Sequence, residues 1–387
     1  MSKWEMVRLG NLITQLRGVS YSPKDTSDVA CQGYTPILRA NNIQDDGLNF
    51  DNLVYVKNNK ISNNQLLKKG DIVICASSGS KNLVGKAAQV IADTNVSFGA
   101  FCKVVRPENI YYAYLGNYFK GKGYRRIISD LSAGININNI RNENINDLTI
   151  PLPPLEVQRK IAETLDAASE LLEMRKKQLA ELDKLIQSVF YDMFGDPVTN
   201  EKGWEVRTLG EVAPVIQSNK NINDDKVWLL TLDAVESNSG NILEYSYVSF
   251  SSIGSSTVKF DEENILYSKL RPYLNKVVIP KMPGYATSEM LPLKPIKTII
   301  IRDYLAYFLR NKEFVDFISE RVSGTKMPRV VTNEFKGYFI PTPPLSLQIQ
   351  FAETVQKIEE QKALVQKAID ETQALFDSLM GEYFESP

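Results

Sequence analysis

Histidine, the side chain that most often moves protons or binds metal ions in enzymes, is absent from all 387 positions of this chain. Ser-His-Asp and Cys-His triads, HNH-type nuclease sites and HExxH helices are therefore excluded. Residues 79–87 come close to a phosphate-binding loop, but the spacing has one residue too many and Ala87 stands where the Mg²⁺-binding Ser or Thr belongs. The chain also lacks the Asn/Asp-Pro-Pro-Tyr/Phe loop of adenine methylation. We predict that this chain is not an enzyme and binds no cofactor itself.

Three cysteines, Cys31, Cys75 and Cys102, are the remaining candidates for metal binding or cross-linking. Their odd number and the lack of CxxC spacing argue against a disulfide framework and a cysteine zinc site, so we expect three core thiols and no metal. The first residues lack an apolar signal core, and no run of about 18 apolar residues occurs. We expect a cytoplasmic protein with no membrane contact.

Basic, amide and hydroxyl side chains gather in a few loops, and these residue types bind DNA. Arg can hold guanine with two hydrogen bonds, Asn can hold adenine, and Ser, Thr and Lys bind phosphates. Residues 1–150 hold 18 Lys and Arg against 12 Asp and Glu, whereas residues 195–340 hold 18 against 18. Because the second region has no net charge, it can present a positive surface to DNA only if its positive side chains are segregated onto one face. The predicted DNA-binding residues are Arg39, Asn41, Ser77, Ser78, Ser80, Lys81, Arg125, Arg126, Asn136 and Asn138 in the first region and Lys269, Arg271, Asn275, Lys276, Thr325, Lys326 and Arg329 in the second. Taken singly, an Arg or Lys is more often an ordinary solvated surface residue than a base contact, so the prediction rests on the whole set.

The segments that must position these loops are repeated along the chain. A shift of 190 residues brings residues 150–155 onto residues 340–345, and both stretches have the sequence Ile-Pro-x-Pro-Pro-Leu. The match continues to Gln158 and Gln348. This period is far longer than that of solenoids or propellers, so the repeat indicates a tandem duplication of a globular domain followed by a segment of about 40 residues.

Both 40-residue segments run without proline after their Pro-Pro starts, which predicts two long helices. An apolar seam with heptad spacing follows each of them for about five heptads, as in coiled coils. In the first helix the seam comprises Gln158, Ile161, Leu165, Ala168, Leu172, Arg175, Leu179, Leu182, Ile186, Val189 and Met193. In the second it comprises Gln348, Phe351, Val355, Ile358, Lys362, Val365, Ile369, Thr372, Phe376, Leu379 and Tyr383. The alternative is an amphipathic helix lying on its own domain, but about 40 residues make a rod of roughly 60 Å, which outruns such a domain.

The fold class predicted from these patterns is α+β, with two mostly β domains in tandem, each followed by a long helix. Chain connectivity makes the helices an antiparallel coiled coil, with pseudo-twofold symmetry between the halves. The predicted segments are a first β domain (1–150), a first long helix (151–194), a second β domain (195–340) and a second long helix (341–387). A turn followed by a strand is expected in residues 70–76 and in residues 263–268, and one helix per domain at residues 111–119 and 303–311.

The chain as a whole resembles the specificity subunits of type I restriction-modification systems. The resemblance rests on the two Ile-Pro-x-Pro-Pro-Leu-x-x-Gln starts, the Met-Phe-Gly-Asp-Pro exit at residues 193–197 with Trp204 beyond it, the Ser-Ser-Gly-Ser stretch at 77–80, the Ser-Lys-Leu-Arg-Pro-Tyr-Leu stretch at 268–274 and the duplicated order of domain and helix.

The resemblance implies two target recognition domains that read the halves of a split sequence in double-stranded DNA, and helices that set the gap and dock two modification subunits. Those partners would bind S-adenosylmethionine and methylate adenine, and restriction subunits would use ATP and Mg²⁺ to translocate and cleave DNA. A rival hypothesis is a pseudo-symmetric coiled-coil scaffold whose β domains bind proteins, and a third is an enzyme with carboxylate chemistry.

Overall fold

The structure is a computed structural model that describes residues 4–45, 47–80, 83–134, 139–222 and 224–385. The chain divides into two compact units. Unit 1 comprises residues 1–177 and 366–387, and unit 2 comprises residues 178–365. Each unit thus contains part of both long helices.

Unit 1 contains a set of short strands followed by helices. Its strands are β1 (Met6–Arg8), β2 (Ile13–Arg17), β3 (Thr26–Ser27), β4 (Tyr34–Leu38), β5 (Val54–Lys57), β6 (Ile72–Cys75), β7 (Ala87–Gln89), β8 (Ser97–Phe98), β9 (Cys102–Pro107) and β10 (Thr149–Pro151). Its helices are α1 (Tyr112–Lys120), α2 (Lys122–Gly134), α3 (Asn142–Asn146) and the first part of α4 (Leu155–Phe194).

Strands β1 and β10 pair with each other, and two four-stranded sheets form the rest of the β part of unit 1. One is antiparallel in the order β2-β9-β6-β7, and the other has the order β3-β5-β4-β8, with β4 and β8 parallel. Strand β6 is buried on both faces, because alternate side chains of a strand point in opposite directions. Ile72 and Ile74 pack in the cluster that includes residues of α1 and α2, whereas Val73 and Cys75 pack with residues of the second sheet.

Unit 2 repeats this organisation. Its strands are β11 (Val206–Thr208), β12 (Lys226–Leu230), β13 (Tyr247–Ser249), β14 (Thr257–Phe260), β15 (Ile265–Ser268), β16 (Val277–Val278), β17 (Gly284–Thr287), β18 (Met290–Leu293), β19 (Val322–Ser323), β20 (Arg329–Val330) and β21 (Phe339–Pro341). Its helices are α5 (Leu209–Val212), α6 (Arg302–Arg310), α7 (Lys312–Ser319), α8 (Thr332–Gly337), the end of α4 and most of α9 (Leu345–Met380).

The sheets of unit 2 match those of unit 1 in their central strands, whereas β3 and β14 have no counterpart in the matching sheet of the other unit. The order β16-β15-β18, extended by a bridge from Val215 to Leu293, corresponds to β7-β6-β9-β2. In the order β13-β12-β17-β14 the parallel pair β12 and β17 corresponds to β4 and β8. The duplication seen in the helix starts therefore extends through the β domains, although their sequences match little.

The seams predicted for the long helices are confirmed, since every seam position of α4 and α9 is buried or half-buried. In unit 1, Arg175 donates to the Thr372 hydroxyl, and the start of α4 shares a buried cluster with Met380. In unit 2, Lys362 and Asp183 form an ion pair at 2.7 Å. Residue numbers rise along one helix as they fall along the other, so the helix segments run antiparallel within each unit. The pseudo-twofold symmetry stays a prediction.

The glutamines at the helix starts are buried anchors. The Gln158 side chain accepts from the Tyr111 amide at 2.8 Å, just before α1, and Gln348 accepts from the Ile301 amide at 2.9 Å, just before α6. Both side chains also donate to a carbonyl of the preceding Pro-Pro stretch at 2.8 Å. The polar residue at the head of each seam therefore ties a long helix to its own β domain.

Aromatic residues at the far end of each long helix complete a core. Phe384, which follows α9, packs on Tyr114 in unit 1 with ring centroids 4.9 Å apart. Phe194, the last residue of α4, packs on Tyr304 in unit 2 at 4.7 Å. Gly195 follows with a φ of 75°, a left-handed conformation that ends the helix.

Two expectations are wrong. Each domain has a second helix, α2 or α7, after the one that was predicted. The α2 segment was missed because eight of its 13 residues are charged, serine or glycine, yet Tyr124 and Ile128, spaced four apart, bury one face. Cys31 is exposed rather than a core thiol.

Candidate nucleic-acid interface

Two stretches of unit 2 that were predicted separately lie side by side. The loop after β15 (residues 269–276) meets the segment that leads into β20. The Arg271 amide donates to the Pro328 carbonyl at 2.8 Å, and a single antiparallel bridge joins Leu270 to Arg329. Most of the predicted residues of the second domain therefore form one surface beyond the end of the central strand β15.

Arg271 is held in an unusual conformation with its side chain exposed. Its φ of 50° is left-handed, which a non-glycine residue adopts only when its surroundings enforce it. Asn275 has a φ of 49°, so two left-handed residues bracket the turn at Pro272–Leu274. Within the described part of the chain the Arg271 guanidinium has no hydrogen-bond or ion-pair partner. The backbone is fixed while the guanidinium is available to a ligand.

Arg329 is paired with Glu289. Its Nε and Nη2 atoms both donate to the Glu289 carboxylate, at 3.1 and 2.9 Å. These hydrogen bonds hold the pKa of the Glu289 carboxyl below its ordinary value. The pair fixes the plane of the guanidinium at the edge of the loop. Glu289 was missed in the sequence, although it is the only carboxylate between residues 270 and 302.

Asn275 and Lys276 serve the loop itself. The Asn275 side chain is buried and donates to the Arg310 carbonyl at 2.9 Å, and Lys276 Nζ donates to the Leu232 carbonyl at 2.7 Å. Their predicted contact with DNA has no support in this geometry, because Asn275 is buried and Lys276 is half-buried with its ammonium held at the Leu232 carbonyl.

The other predicted residues of unit 2 are Lys269, Thr325 and Lys326. Lys269 is half-buried, and its amide donates to the Glu289 carbonyl at 2.9 Å. Thr325 and Lys326 are exposed just after Gly324, whose φ of 88° permits the tight turn there. All three residues border the paired loops.

Unit 1 has the same arrangement beyond its central strand β6. Ser77 forms an isolated antiparallel bridge with Asn139, as Leu270 does with Arg329 in unit 2. The neighbouring Ile140 amide donates to the Ala76 carbonyl at 2.8 Å. A loop that follows the central strand is therefore joined to the segment that follows the second helix in both units.

The hydroxyl residues of the loop at 77–80 are partly engaged with each other. The Ser78 hydroxyl accepts from the Ser80 amide at 3.1 Å, and Ser80 itself is exposed. Lys81, Asn136 and Asn138 lie outside the described residues.

Arg125 and Arg126 lie on helix α2 rather than in a loop, which corrects the prediction. Arg125 Nη1 donates to the Val84 carbonyl at 3.1 Å, so this guanidinium supports the chain that leaves the loop at 77–80. Arg126 is exposed and lies 3.9 Å from a Glu385 carboxylate oxygen. The hydrogen bond to Val84 indicates that Arg125 positions the backbone rather than contacting DNA.

Arg39 and Asn41 follow strand β4. Arg39 is half-buried, and its Nη2 donates to the Asn52 carbonyl at 3.3 Å, whereas its Nε is buried without a partner among the described residues. Asn41 is exposed. Arg39 therefore has donor capacity to spare, and its neighbour is open to solvent.

The described residues contain no group of three or more His, Cys, Asp or Glu residues that could hold a metal ion. Burial raises the pKa of the Cys102 thiol to about 12, which keeps it protonated at neutral pH. Among the described helices, none is both long and apolar enough to span a membrane.

Comparison with known proteins connects this geometry to a family. The model of the type I restriction modification DNA specificity domain matches residues 1–184 and again residues 201–373. The specificity subunit of the type I restriction enzyme EcoKI from Escherichia coli K12 is 35% identical over 199 residues, covering 51% of this chain and 43% of that protein. The StySPI specificity subunit from Salmonella potsdam is 38% identical over 185 residues, covering 48% and 40%. The matched segments thus span about two fifths of these two relatives.

Longer matches are weaker in identity. The MjaVIII specificity subunit of Methanocaldococcus jannaschii is 23% identical over 382 residues, which covers 92% of this chain and 86% of that protein. The crystal structure of a type I restriction-modification S subunit from M. genitalium is similar in fold, with a TM-score of 0.59, 16% identity and coverage of 100% and 97%. Because the family model matches both halves, the chain belongs to the type I restriction-modification DNA specificity family, with one family domain in each half.

Proposed function

We propose that this chain is the DNA-recognition subunit of a type I restriction-modification complex and reads a split target in double-stranded DNA. Residues 1–150 and 195–340 would each read one half, and the helices in 151–194 and 341–387 would set the gap and dock two modification subunits. The observation that carries the proposal is the pairing of the loop after the central strand with the segment after the second helix, which recurs in both units.

The chemistry of these paired loops suits a DNA groove. In unit 2 they offer the guanidinium of Arg271 and the exposed Thr325 and Lys326, and in unit 1 they offer hydroxyl groups. Ser, Thr and Lys are typical ligands of phosphate oxygens, and Arg is the commonest ligand of guanine in the major groove. Exposed side chains on a fixed backbone therefore supply both positioning and base-reading groups.

The chain itself would be non-catalytic and free of cofactors. Methyl transfer from S-adenosylmethionine would belong to the modification subunits, and ATP- and Mg²⁺-dependent translocation and cleavage to restriction subunits. The complex would work in the cytoplasm. A protein-binding scaffold is not favoured, because both halves match a DNA specificity family.

Single-molecule sequencing of host DNA for methyladenine, with and without this gene, tests the proposal. We expect a split methylated motif that disappears with the gene and is restored by the wild-type chain. Exchanging residues 1–150 for the equivalent domain of a relative should change one half of that motif only. A methylome that does not respond to the gene would contradict DNA recognition, and a change in both halves would contradict independent reading.

Purified protein provides a second test of the non-catalytic role. The chain alone should neither methylate nor cut DNA, and methylation should appear when a modification subunit is added. Methyl transfer by this polypeptide alone, free of partner subunits, would contradict the proposal.

A further inference from the structure

Phe101 is an exposed aromatic residue in the turn that connects the two four-stranded sheets of unit 1. Its side chain is 68% exposed, and the turn is closed by a bond from the Cys102 amide to the Gly99 carbonyl at 2.8 Å. A single exposed apolar residue is common on protein surfaces, so exposure alone says little. The inference rests on the position of Phe101 beside the loop at 77–80.

The backbone of Phe101 holds the start of the candidate DNA-binding loop. Its carbonyl accepts from the Ala76 amide at 2.9 Å and from the Ser77 amide at 3.1 Å. These two residues lead from the central strand β6 into the loop at 77–80, and Ser77 is also bridged to Asn139. An exposed apolar ring is therefore attached to the backbone that borders the surface that we assign to DNA.

The equivalent position in unit 2 also borders the paired loops. There the turn between β17 and β18 carries Glu289, whose carbonyl accepts from the Lys269 amide at 2.9 Å, as that of Phe101 accepts from Ala76. The Glu289 carboxylate accepts a hydrogen bond from the Arg329 guanidinium. The same turn thus reaches the candidate surface in both halves, with an aromatic side chain in one and an acidic side chain in the other.

We propose that Phe101 is a specificity-determining residue that contacts the methyl group of a thymine in the half-site read by residues 1–150. The major groove exposes one apolar group on its base edges, the thymine C5-methyl, and aromatic side chains make such contacts. The Glu289 side chain ends in a carboxylate that is paired with Arg329, so a thymine contact from this turn should be confined to the half-site of the first domain. This inference rests on the proposed function.

The first experiment uses the full chain in complex with its modification subunit and a duplex pool in which both half-sites are randomised. We expect Phe101→Ala to lose the preference for thymine at one position of the first half-site and to leave the second half-site unchanged. Phe101→Leu, which keeps an apolar side chain, should retain part of that preference.

The matched control is Ile91→Ala. Ile91 is 83% exposed and follows Val90. The Val90 backbone forms hydrogen bonds with Gly70 and Asp71, which precede β6 at the end opposite to the loop. Since it is apolar and exposed in the same unit but distant along the strand from the loop, its replacement should not alter base preference. All variants should show wild-type thermal melting, because neither side chain belongs to a core.

The second experiment replaces the selected thymine with deoxyuridine, which lacks only the methyl group. Wild-type binding should weaken about fourfold, which corresponds to the burial of one methyl group, and binding of Phe101→Ala should not change. An unchanged base preference in Phe101→Ala, or equal wild-type affinity for both bases, would overturn the inference.

Other outcomes separate the inference from the proposed function. If Phe101→Ala weakens binding of the modification subunit and leaves base preference intact, the ring belongs to a protein interface and the inference fails. If the wild-type complex selects no sequence at all, the proposed function fails instead. Selection of a half-site that does not depend on Phe101 would contradict only the role of this residue.

Discussion

The hydroxyl of Tyr114 donates to the carbonyl of Pro151 at 2.9 Å, and 190 residues later Tyr304 donates to Pro341 at the same distance. Both bonds are buried and join the first helix of a β domain to the last strand before a long helix. Tyr304→Phe should lower the free energy of unfolding of unit 2 by about 1 kcal/mol, because the proline carbonyl loses a buried donor. Urea unfolding should show the shift, and exposed Tyr273→Phe is the control. Equal midpoints for the two variants would mean that the bond contributes nothing.

Arg271→Gly should weaken DNA binding without lowering the stability of the protein. Glycine adopts a φ of 50° without strain, and the Arg271 side chain makes no bond within the described chain, so thermal stability should be kept or rise by up to about 1 kcal/mol. Binding should fall by roughly 1 to 3 kcal/mol at one base position, as for a lost base contact.

Competition between duplexes that differ at single base pairs measures this loss. Lys326→Ala is the comparison, since an exposed lysine that binds phosphate should weaken binding equally on all sequences. A uniform loss for Arg271→Gly would reassign the arginine to phosphate, and a clear drop in melting temperature would show a structural role.

Glu289→Gln should destabilise unit 2 by no more than about 1 kcal/mol, because the ion pair with Arg329 is partly exposed. The pKa of the Glu289 carboxyl is depressed in the folded chain, so its stabilising effect is complete above the ordinary value of 4.5 and is lost as the pH falls through the lower, folded value. Urea midpoints of the two proteins should therefore differ at pH 7 and converge in acid. A difference that grows in acid would contradict this assignment, and Glu244→Gln, at an exposed position, provides the control.

The long helices should act as a ruler for the distance between half-sites. The test adds one heptad to each helix, after Leu179 and after Val365. Both insertions lie between the pair Arg175–Thr372 and the pair Asp183–Lys362 along the helices, so each pair and the seam keep their register. Seven residues add about 10 Å, or about 3 base pairs of duplex DNA. Some affinity should be lost, because about 3 base pairs also rotate the second half-site by roughly 100°.

Binding to duplexes with fixed half-sites and a variable spacer measures the effect. The optimum should move to the longer spacer without a change in either half-site. A folded variant whose optimum stays at the parental spacer would show that the helices do not set the distance. Lengthening only one helix should instead mismatch the seam and lower stability.

The sequence predicted those features that repeat or follow a regular period. The match of Gln158 with Gln348 located both helix starts, and heptad spacing identified the seam positions that are buried. Arg175 is polar at a seam position, yet its bond to Thr372 explains why it is tolerated there. Such partners come from the other helix, almost 200 residues away, and spacing along one helix does not reveal them.

The candidate site was predicted only in part, because its chemistry depends on tertiary contacts. The two loops of unit 2 were identified by composition, but composition does not separate exposed Arg271 from Lys276, whose donor is used internally. Neither Glu289 nor Phe101 belongs to a polar cluster in the sequence. Their positions follow from the pairing of strands, which places one turn beside the loop in each unit.

Phe384, which completes the core of unit 1, has a consequence for synthesis of the protein on the ribosome. Unit 2 is one continuous stretch and has all its residues once position 365 has emerged. Unit 1 lacks Met380 and Phe384 until these residues are translated, roughly 10 to 40 s after residue 177 is made. Unit 1 therefore completes its core only after all of unit 2 has been synthesised, and during that interval Phe384 does not yet cover Tyr114.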